Sequence, residues 1–380
     1  MDQTSVFDFV LRKNADLVSF ALGLPNPDLF PVDELTAAVD AVFKEPGDVY
    51  QYANPLEELR GHIVRLMAMR GVTCAPEQIV LTHGAQHGID MAVRLLCGPG
   101  RPLVLEEISY TGALSVVSAT DTPVHTVSTT GSLSEAVGDL LRAGVRPGGM
   151  YVMPEGHNPL GVSLPEAERR ALVALAREHA FTIVEDDAYG FLQYDQEPRP
   201  ALRSLDDRRV FYIGSFSKII SPGLRVGWIV VPEEHVDRAL VVKEASTLEV
   251  ATPGQYIVAR LLDRWDLAGH LGVLRREYAL RRDTMRRSLE AVLPAGTPFS
   301  CPDSGMFFWV ELPEGVDTGE LLEAAVAEYG VSFVPGDLYL SGPVQAKRNY
   351  LRLSFSCVSP AEIEAGAERL GRLFRDRGIA

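Results

Sequence analysis

Between about Asp33 and Arg264 the chain alternates short apolar runs with amphipathic stretches, and this alternation constrains its fold more than any other feature. Seven runs read as strands: "QIVLT", "PLVLEE", "PVHTV", "GMYVM", "FTIVEDD", "VFYIGSF" and "RVGWIVV". Between them, "AQHGIDMAVRLL", "SLSEAVGDLLRAG" and "LPEAERRALVALAREHA" carry apolar residues at helical spacing. Strand, helix, strand in repetition means an α/β fold around a mostly parallel seven-stranded sheet. After the helical "TPGQYIVARLLDR" and the long "AGHLGVLRREYALRRDTMRRSLEAVL" come "MFFWVEL", "VSFVPG" and "YLRLSFS" as strands and a closing helix, "SPAEIEAGAERLGRLFRD". That second group reads as a smaller α+β domain. The expected division is an N-terminal arm over 1–32 that contributes to the small domain, a large domain over 33–264, and the small domain over 265–380.

A length of 380 residues suits this two-part arrangement. The net charge of -15 has its acids spread along the chain and no Lys/Arg tract, so nucleic acid and anionic membrane are not expected partners. No 18 apolar residues run together, and the N-terminus has an acid where a secretion signal wants positive charge. Cys74, Cys97, Cys301 and Cys357 show neither C-x-x-C nor metal spacing, which suggests reduced, buried thiols in a cytoplasmic protein and no metal.

In an open α/β sheet ligands gather at the carboxyl ends of the strands. The first end, Thr82-His83-Gly84, opens a helix at Ala85-Gln86 and aims free backbone N–H groups at an anion, or else is an ordinary glycine turn. The second holds Asn158 before a proline, which leaves its amide free to act sideways, though N-P also marks loops generally. The third places Glu185, Asp186 and Asp187 in a row, which calls for a cation or, alternatively, a helix to cap. The fourth is "SFSKIISPGLRVGW", with Ser215, Ser217, Lys218 and Arg225. Only five of the 36 basic residues are lysines, and a primary amine, unlike arginine, can deprotonate and attack a carbonyl. Tyr110, after another strand, offers a stacking ring. One ligand needs an amine, an anion nest, a carboxylate, an amide and a ring together: pyridoxal 5'-phosphate.

The ordered set "SFALGLPNPDLFP", "YQYANPLEELR", "THGAQHGID", "GHNPLG", "VEDDAYGFL", "SFSKIISPGLRVGW", "PDSGMFFWVELP", "VSFVPGDLY" and "NYLRLSFS" resembles the fold-type I pyridoxal-phosphate aminotransferases of class I/II, nearest the kynurenine, 2-aminoadipate and aromatic branch. By that resemblance Lys218 is the lysine that condenses with the cofactor aldehyde and Asp186 the partner of its ring nitrogen. Asn158 and Tyr189 donate to its phenolic oxygen, and Tyr110 stacks on it. Gly84, Ala85, Gln86, Ser215, Ser217 and Arg225 form the phosphate cup, joined by Tyr52 from a neighbouring subunit, which implies a homodimer. Arg352 pairs with the substrate α-carboxylate, with Gly23 as the backbone wall beside it and Asn158 within reach. The implied reaction moves the α-amino group of a bulky or cationic amino acid to an oxo acid such as 2-oxoglutarate or pyruvate. Other pyridoxal-phosphate outcomes, or a non-catalytic ligand sensor, are the alternatives. Leu22, His157 and Leu160, Ser304, and a shortened turn after Tyr52 depart from the family pattern. Low lysine with high alanine and arginine resembles chains from GC-rich bacterial genomes, where such enzymes serve antibiotic or unusual amino-acid biosynthesis.

Overall fold

A computed structural model describes residues 16–44, 48–52, 56–195 and 198–379. After a two-residue strand β1 (Val18–Ser19), the seven expected strands all form: β2 (Ile79–Thr82), β3 (Leu103–Glu106), β4 (Val124–Val127), β5 (Gly149–Val152), β6 (Thr182–Asp186), β7 (Val210–Ser215) and β8 (Gly227–Val230). They make one sheet in the order β2-β8-β7-β6-β5-β3-β4. The strands from β7 to β4 run parallel, and β8 runs antiparallel to both of its neighbours. Six of the seven are buried along their whole length, and only the edge strand β4 is partly open. Helices cover both faces of a parallel sheet, so its strands are continuous apolar runs, and that is why they stood out in the sequence.

The order places a reversal between β3 and β5: β4 lies outward on one side, while β6, β7 and β8 follow on the other. A crevice opens at such a switch point, outside the strands' carboxyl ends. Tyr110 follows β3 and Asn158 follows β5, so both stand at this crevice. Helices Ala85–Leu96 and Thr252–Arg264 have the bounds read from the sequence, while helix Thr111–Ala119 was not anticipated.

Beyond the 26-residue helix Leu267–Val292, strands β9 (Phe307–Glu311), β10 (Val331–Ser332), β11 (Val334–Pro335) and β12 (Tyr350–Ser354) follow. The expected single strand "VSFVPG" is two. β10 pairs in parallel with β1, whereas β11 joins the antiparallel sheet β11-β12-β9, and Phe333 between them turns fully into the core. One run thus serves two sheets, and the first stitches the N-terminal segment to residues near the C-terminus. Helix Pro360–Asp376 opens with a capping box, Ser359 with Glu362, and packs on Leu267–Val292. It buries Ile363, Leu370, Leu373 and Phe374, each worth about 1.5–3 kcal/mol. Of the four thiols only Cys74 is buried, and Cys301 is exposed, contrary to the expected burial of all four.

Candidate active site

Strand β7 ends at Ser215, whose hydroxyl accepts from the Ser217 N–H at 3.1 Å and donates to the Ser217 hydroxyl at 2.9 Å. These bonds wind the chain into a single 3₁₀ turn, Phe216–Lys218, that lifts Lys218 over the sheet's carboxyl edge. Its Nζ donates to the Gly23 carbonyl at 2.8 Å and lies 5.9 Å from the centre of the Tyr189 ring. Loss of water lowers the Lys218 pKa to about 8; Arg352 and Arg225 act in the same direction, against Cys357 and Asp186.

Asp186 ends β6. Its Oδ2 accepts from the Tyr151 hydroxyl at 2.8 Å, and its Oδ1 is buried with no hydrogen-bond partner. Burial raises this carboxyl to about 6, opposed chiefly by the Tyr151 bond. Its two neighbours have other business, one capping a helix and the other meeting the Arg70 cation. Glu185 accepts the N–H groups of Leu202 and Arg203 at 2.7 and 2.8 Å, capping the short helix Leu202–Leu205. Asp187 takes both the Nε and Nη2 of Arg70, at 2.7 and 3.2 Å, and the Tyr212 hydroxyl at 2.7 Å. Of the three acids only Asp186 faces the crevice.

From the opposite wall comes Arg352 of β12. It donates through Nη1 to Asn158 Oδ1 at 3.1 Å and through Nη2 to the Ala21 carbonyl. Its guanidinium lies 4.4 Å from the Phe307 ring centre and 5.2 Å from that of Tyr339. Its Nε is buried and without a partner. Gly23 passes so close that a Cβ there would stand 2.7 Å from the Phe307 ring, so the wall must be bare backbone at this point.

At the third side, Gly84 turns the chain with φ +75° into helix Ala85–Leu96, whose N-terminus has no side-chain cap. Gln86 donates to the Gly112 carbonyl at 2.8 Å, and Arg225 donates to the His83 carbonyl at 2.9 Å. Uncapped N–H groups, two serines and a guanidinium converge there, which suits a phosphate dianion. Tyr110 stands just before helix Thr111–Ala119, its phenol raised to about 12 by burial. The Tyr189 phenol is raised further by the same cause, and its ring meets Phe307 edge-on at 5.9 Å.

These groups line one cavity of about 450 Å³. Every expected site residue borders it except Gly84, which turns the chain behind it, and Tyr52, which is 78 % exposed. The sequence did not single out Tyr151, Phe307 or Tyr339. Counting in twos back from Met153 along β5 would have put Tyr151 on a lining face, and "FFWV" and "GDLY" were seen only as motifs. Leu22 lines the cavity, Leu160 is partly buried against the hydrophobic core, and Ser304 donates to the Tyr189 carbonyl at 3.1 Å. His157 is buried with Nε2 at 3.3 Å from Glu106. The turn after Tyr52, at 53–55, lies outside the described residues. A larger, more open hollow of about 830 Å³ shares Gln86, Ser115 and Arg225 with the cavity.

The residues present fit pyridoxal phosphate: an amine with a depressed pKa, an uncapped helix terminus for the phosphate, and a buried carboxylate oxygen left free for a ring N–H.

The sequence profile of the family described as aminotransferase class I and II matches residues 21–370. The aromatic-amino-acid aminotransferase 1 of Thermococcus litoralis is 32 % identical over 377 residues, covering 96 % of this chain and 90 % of its own. The 2-aminoadipate transaminase of Thermus thermophilus is also 32 % identical, covering 96 % and 92 %. Among solved structures, a Pyrococcus horikoshii kynurenine aminotransferase in complex with PMP superposes with a TM-score of 0.90 at 30 % identity, covering 98 % of this chain and 94 % of that one.

Proposed function

The chain belongs to the class I and II aminotransferases, which use pyridoxal phosphate, and on that premise we propose that Lys218 is the lysine that carries the cofactor and moves the substrate's α-proton. The observation that carries this reading is the pairing, in one cavity, of an amine whose pKa falls to about 8 with the partnerless Oδ1 of Asp186. The cofactor, when bound, supplies an electron sink for the pair left behind as the Cα–H bond breaks. Asp186, ionised, would hold the cofactor's ring N–H, with Tyr151 fixing its Oδ2. Lys218 Nζ would take the substrate's α-proton as general base and give it back as general acid. Arg352 would give up the Ala21 carbonyl for the α-carboxylate, which it can grip with two parallel bonds while a second N–H of Nη1 stays on Asn158. Tyr110, Asn158 and Tyr189 would hold the ring, and Ala85, Gln86, Ser215, Ser217 and Arg225 the phosphate.

The donor in this reading is a bulky or cationic α-amino acid, and the acceptor is 2-oxoglutarate or pyruvate. Leu22 and the half-exposed Leu24 give the mouth of the cavity an apolar lip. The relatives named for aromatic amino acids, 2-aminoadipate and kynurenine support a long side chain. Tyr52 is exposed in the single chain, and the hollow beside Arg225 is open, so both await a second copy that would complete the phosphate cup. The division into an arm, a large domain and a small domain at about residues 32 and 264 belongs to the same reading.

The test is single-turnover. A panel of amino acids is mixed with the yellow enzyme, and conversion to the pyridoxamine form is followed by absorbance. Rapid conversion by long or aromatic donors and slow conversion by aspartate is expected; fastest conversion by aspartate contradicts the substrate reading but leaves the aminotransferase assignment standing.

A further inference from the structure

The turn from Pro154 to Ser163 carries Asn158, and the segment Asp303–Phe307 carries the ring on which Arg352 rests. The two touch backbone to backbone. A Cβ on Gly156 would lie 2.7 Å from Gly305, and one on Gly161 would lie 2.1 Å from the Phe307 carbonyl oxygen. Arg199 spans the junction: its Nε and Nη2 donate to the two oxygens of Glu155 at 3.1 and 2.9 Å, and its Nη1 donates to Asp303 Oδ2 at 2.7 Å. The other oxygen of Asp303 accepts from the Ser163 hydroxyl at 2.8 Å, which in turn accepts from the Gly156 N–H at 3.1 Å. Glu155 is fully buried and also paired with Arg169, so its end of the bridge is fixed, while Asp303 is about a quarter exposed.

We propose that Arg199 is a positioning residue for the carboxylate anchor: by clamping Glu155 to Asp303 it locks the turn bearing Asn158 to the segment bearing Phe307, two of the groups that set the height and tilt of the Arg352 guanidinium. Phe307 backs one face of Arg352, Asn158 fixes one of its terminal nitrogens, and a carboxylate gripped by two bonds tolerates little change in either. The clamp touches neither substrate nor cofactor, and it loads binding of the α-carboxylate rather than proton transfer at Lys218. The inference rests on the reading of Arg352 as that anchor.

Asp303→Asn removes the charge facing Arg199 and keeps an acceptor for Ser163. Arg199→Lys keeps the charge and loses the fork that reaches both acids, while Arg169 still neutralises Glu155. Donor KM and acceptor KM are measured on the cofactor-loaded enzyme with the amino acid that wild type converts fastest, alongside kcat, cofactor absorbance and the thermal midpoint. Both variants are expected to raise both KM values about tenfold, between the small worth of an exposed ion pair and the roughly hundredfold cost of a 1 Å misplacement. In both, kcat stays within about twofold and the absorbance is unchanged. Unchanged KM in both variants overturns the proposal, as does a joint fall of kcat, cofactor content and thermal midpoint, which marks a merely structural bridge. Arg352→Lys separates the premises. If it raises KM while the clamp variants do not, only this inference fails; if it leaves KM unchanged, the anchor reading fails and this inference with it.

Discussion

Lys218 Nζ donates to the carbonyl of Gly23 across 2.8 Å, tying the lysine at the end of β7 to the N-terminal segment that walls the cavity. The contact is possible because Gly23 has no side chain to hold it off Phe307. It shows the amine already within the cavity, aimed at the wall beside which Arg352 waits. An amine in that place must be neutral to act.

The pH dependence follows from the sign of the Lys218 shift. Its pKa in the folded chain, about 8, lies below the ordinary 10.5, so the neutral amine persists down to about pH 8. Uptake of pyridoxal phosphate by the cofactor-free protein should accelerate through about pH 8 and then level off, as stopped-flow absorbance would show. Over the window from about 8 to 10.5 the unfolded chain holds a proton that the folded chain does not, so the stability of the cofactor-free protein should rise with pH there. A midpoint of uptake near 10.5 would contradict the burial argument.

Asp186→Asn should retain the cofactor and lose turnover. The amide can still meet Tyr151, but it carries no charge to keep a ring nitrogen protonated. A fall in kcat on the order of 10²–10³ is expected, the size seen when one preorganised electrostatic partner is removed. Unchanged kcat would take Asp186 out of this role.

Arg352→Ala should weaken all donors and acceptors alike, since each presents the same α-carboxylate. The expected loss in kcat/KM is about 2–5 kcal/mol, the cost of removing one partner of a buried charge pair. A loss confined to particular side chains would mean that Arg352 reads the side chain instead.

Leu22→Gly should reorder the donors while leaving the common carboxylate contribution intact. Leu22 borders the cavity next to Gly23, and the apolar lip it forms with Leu24 is what favours a long side chain in this account. The ratio of kcat/KM for a long donor to that for alanine should fall by roughly 10-fold or more, the worth of one or two lost side-chain groups in an apolar pocket.

The sequence was most informative where burial is two-sided. β2, β3 and β5 to β8 are buried throughout and largely apolar because helices cover both faces, and helices Ala85–Leu96 and Thr252–Arg264 show a clear amphipathic period. Helix Thr111–Ala119 was missed because "TGALSVVSA" has no charged face to set off an apolar one. Strand order and the antiparallel β8 depend on long-range pairing that no local pattern records. At the site, the strand ends pointed to Lys218, Asp186 and Asn158, each a polar residue following an apolar run. The fates of Glu185 and Asp187 were hidden, because their partners, the N–H groups of Leu202 and Arg203 and the side chains of Arg70 and Tyr212, come from distant segments. The alternation of side chains along β6 already implied that three successive acids could not face one ligand.

The central claim, that Lys218 bears the cofactor, is tested most directly by reducing the cofactor-loaded enzyme with borohydride and mapping the phosphopyridoxyl group by peptide mass spectrometry. The account predicts a single labelled peptide containing Lys218 and no label in Lys218→Ala. Label on Lys13, Lys44, Lys243 or Lys347 in place of Lys218, or undiminished label in Lys218→Ala, would contradict it.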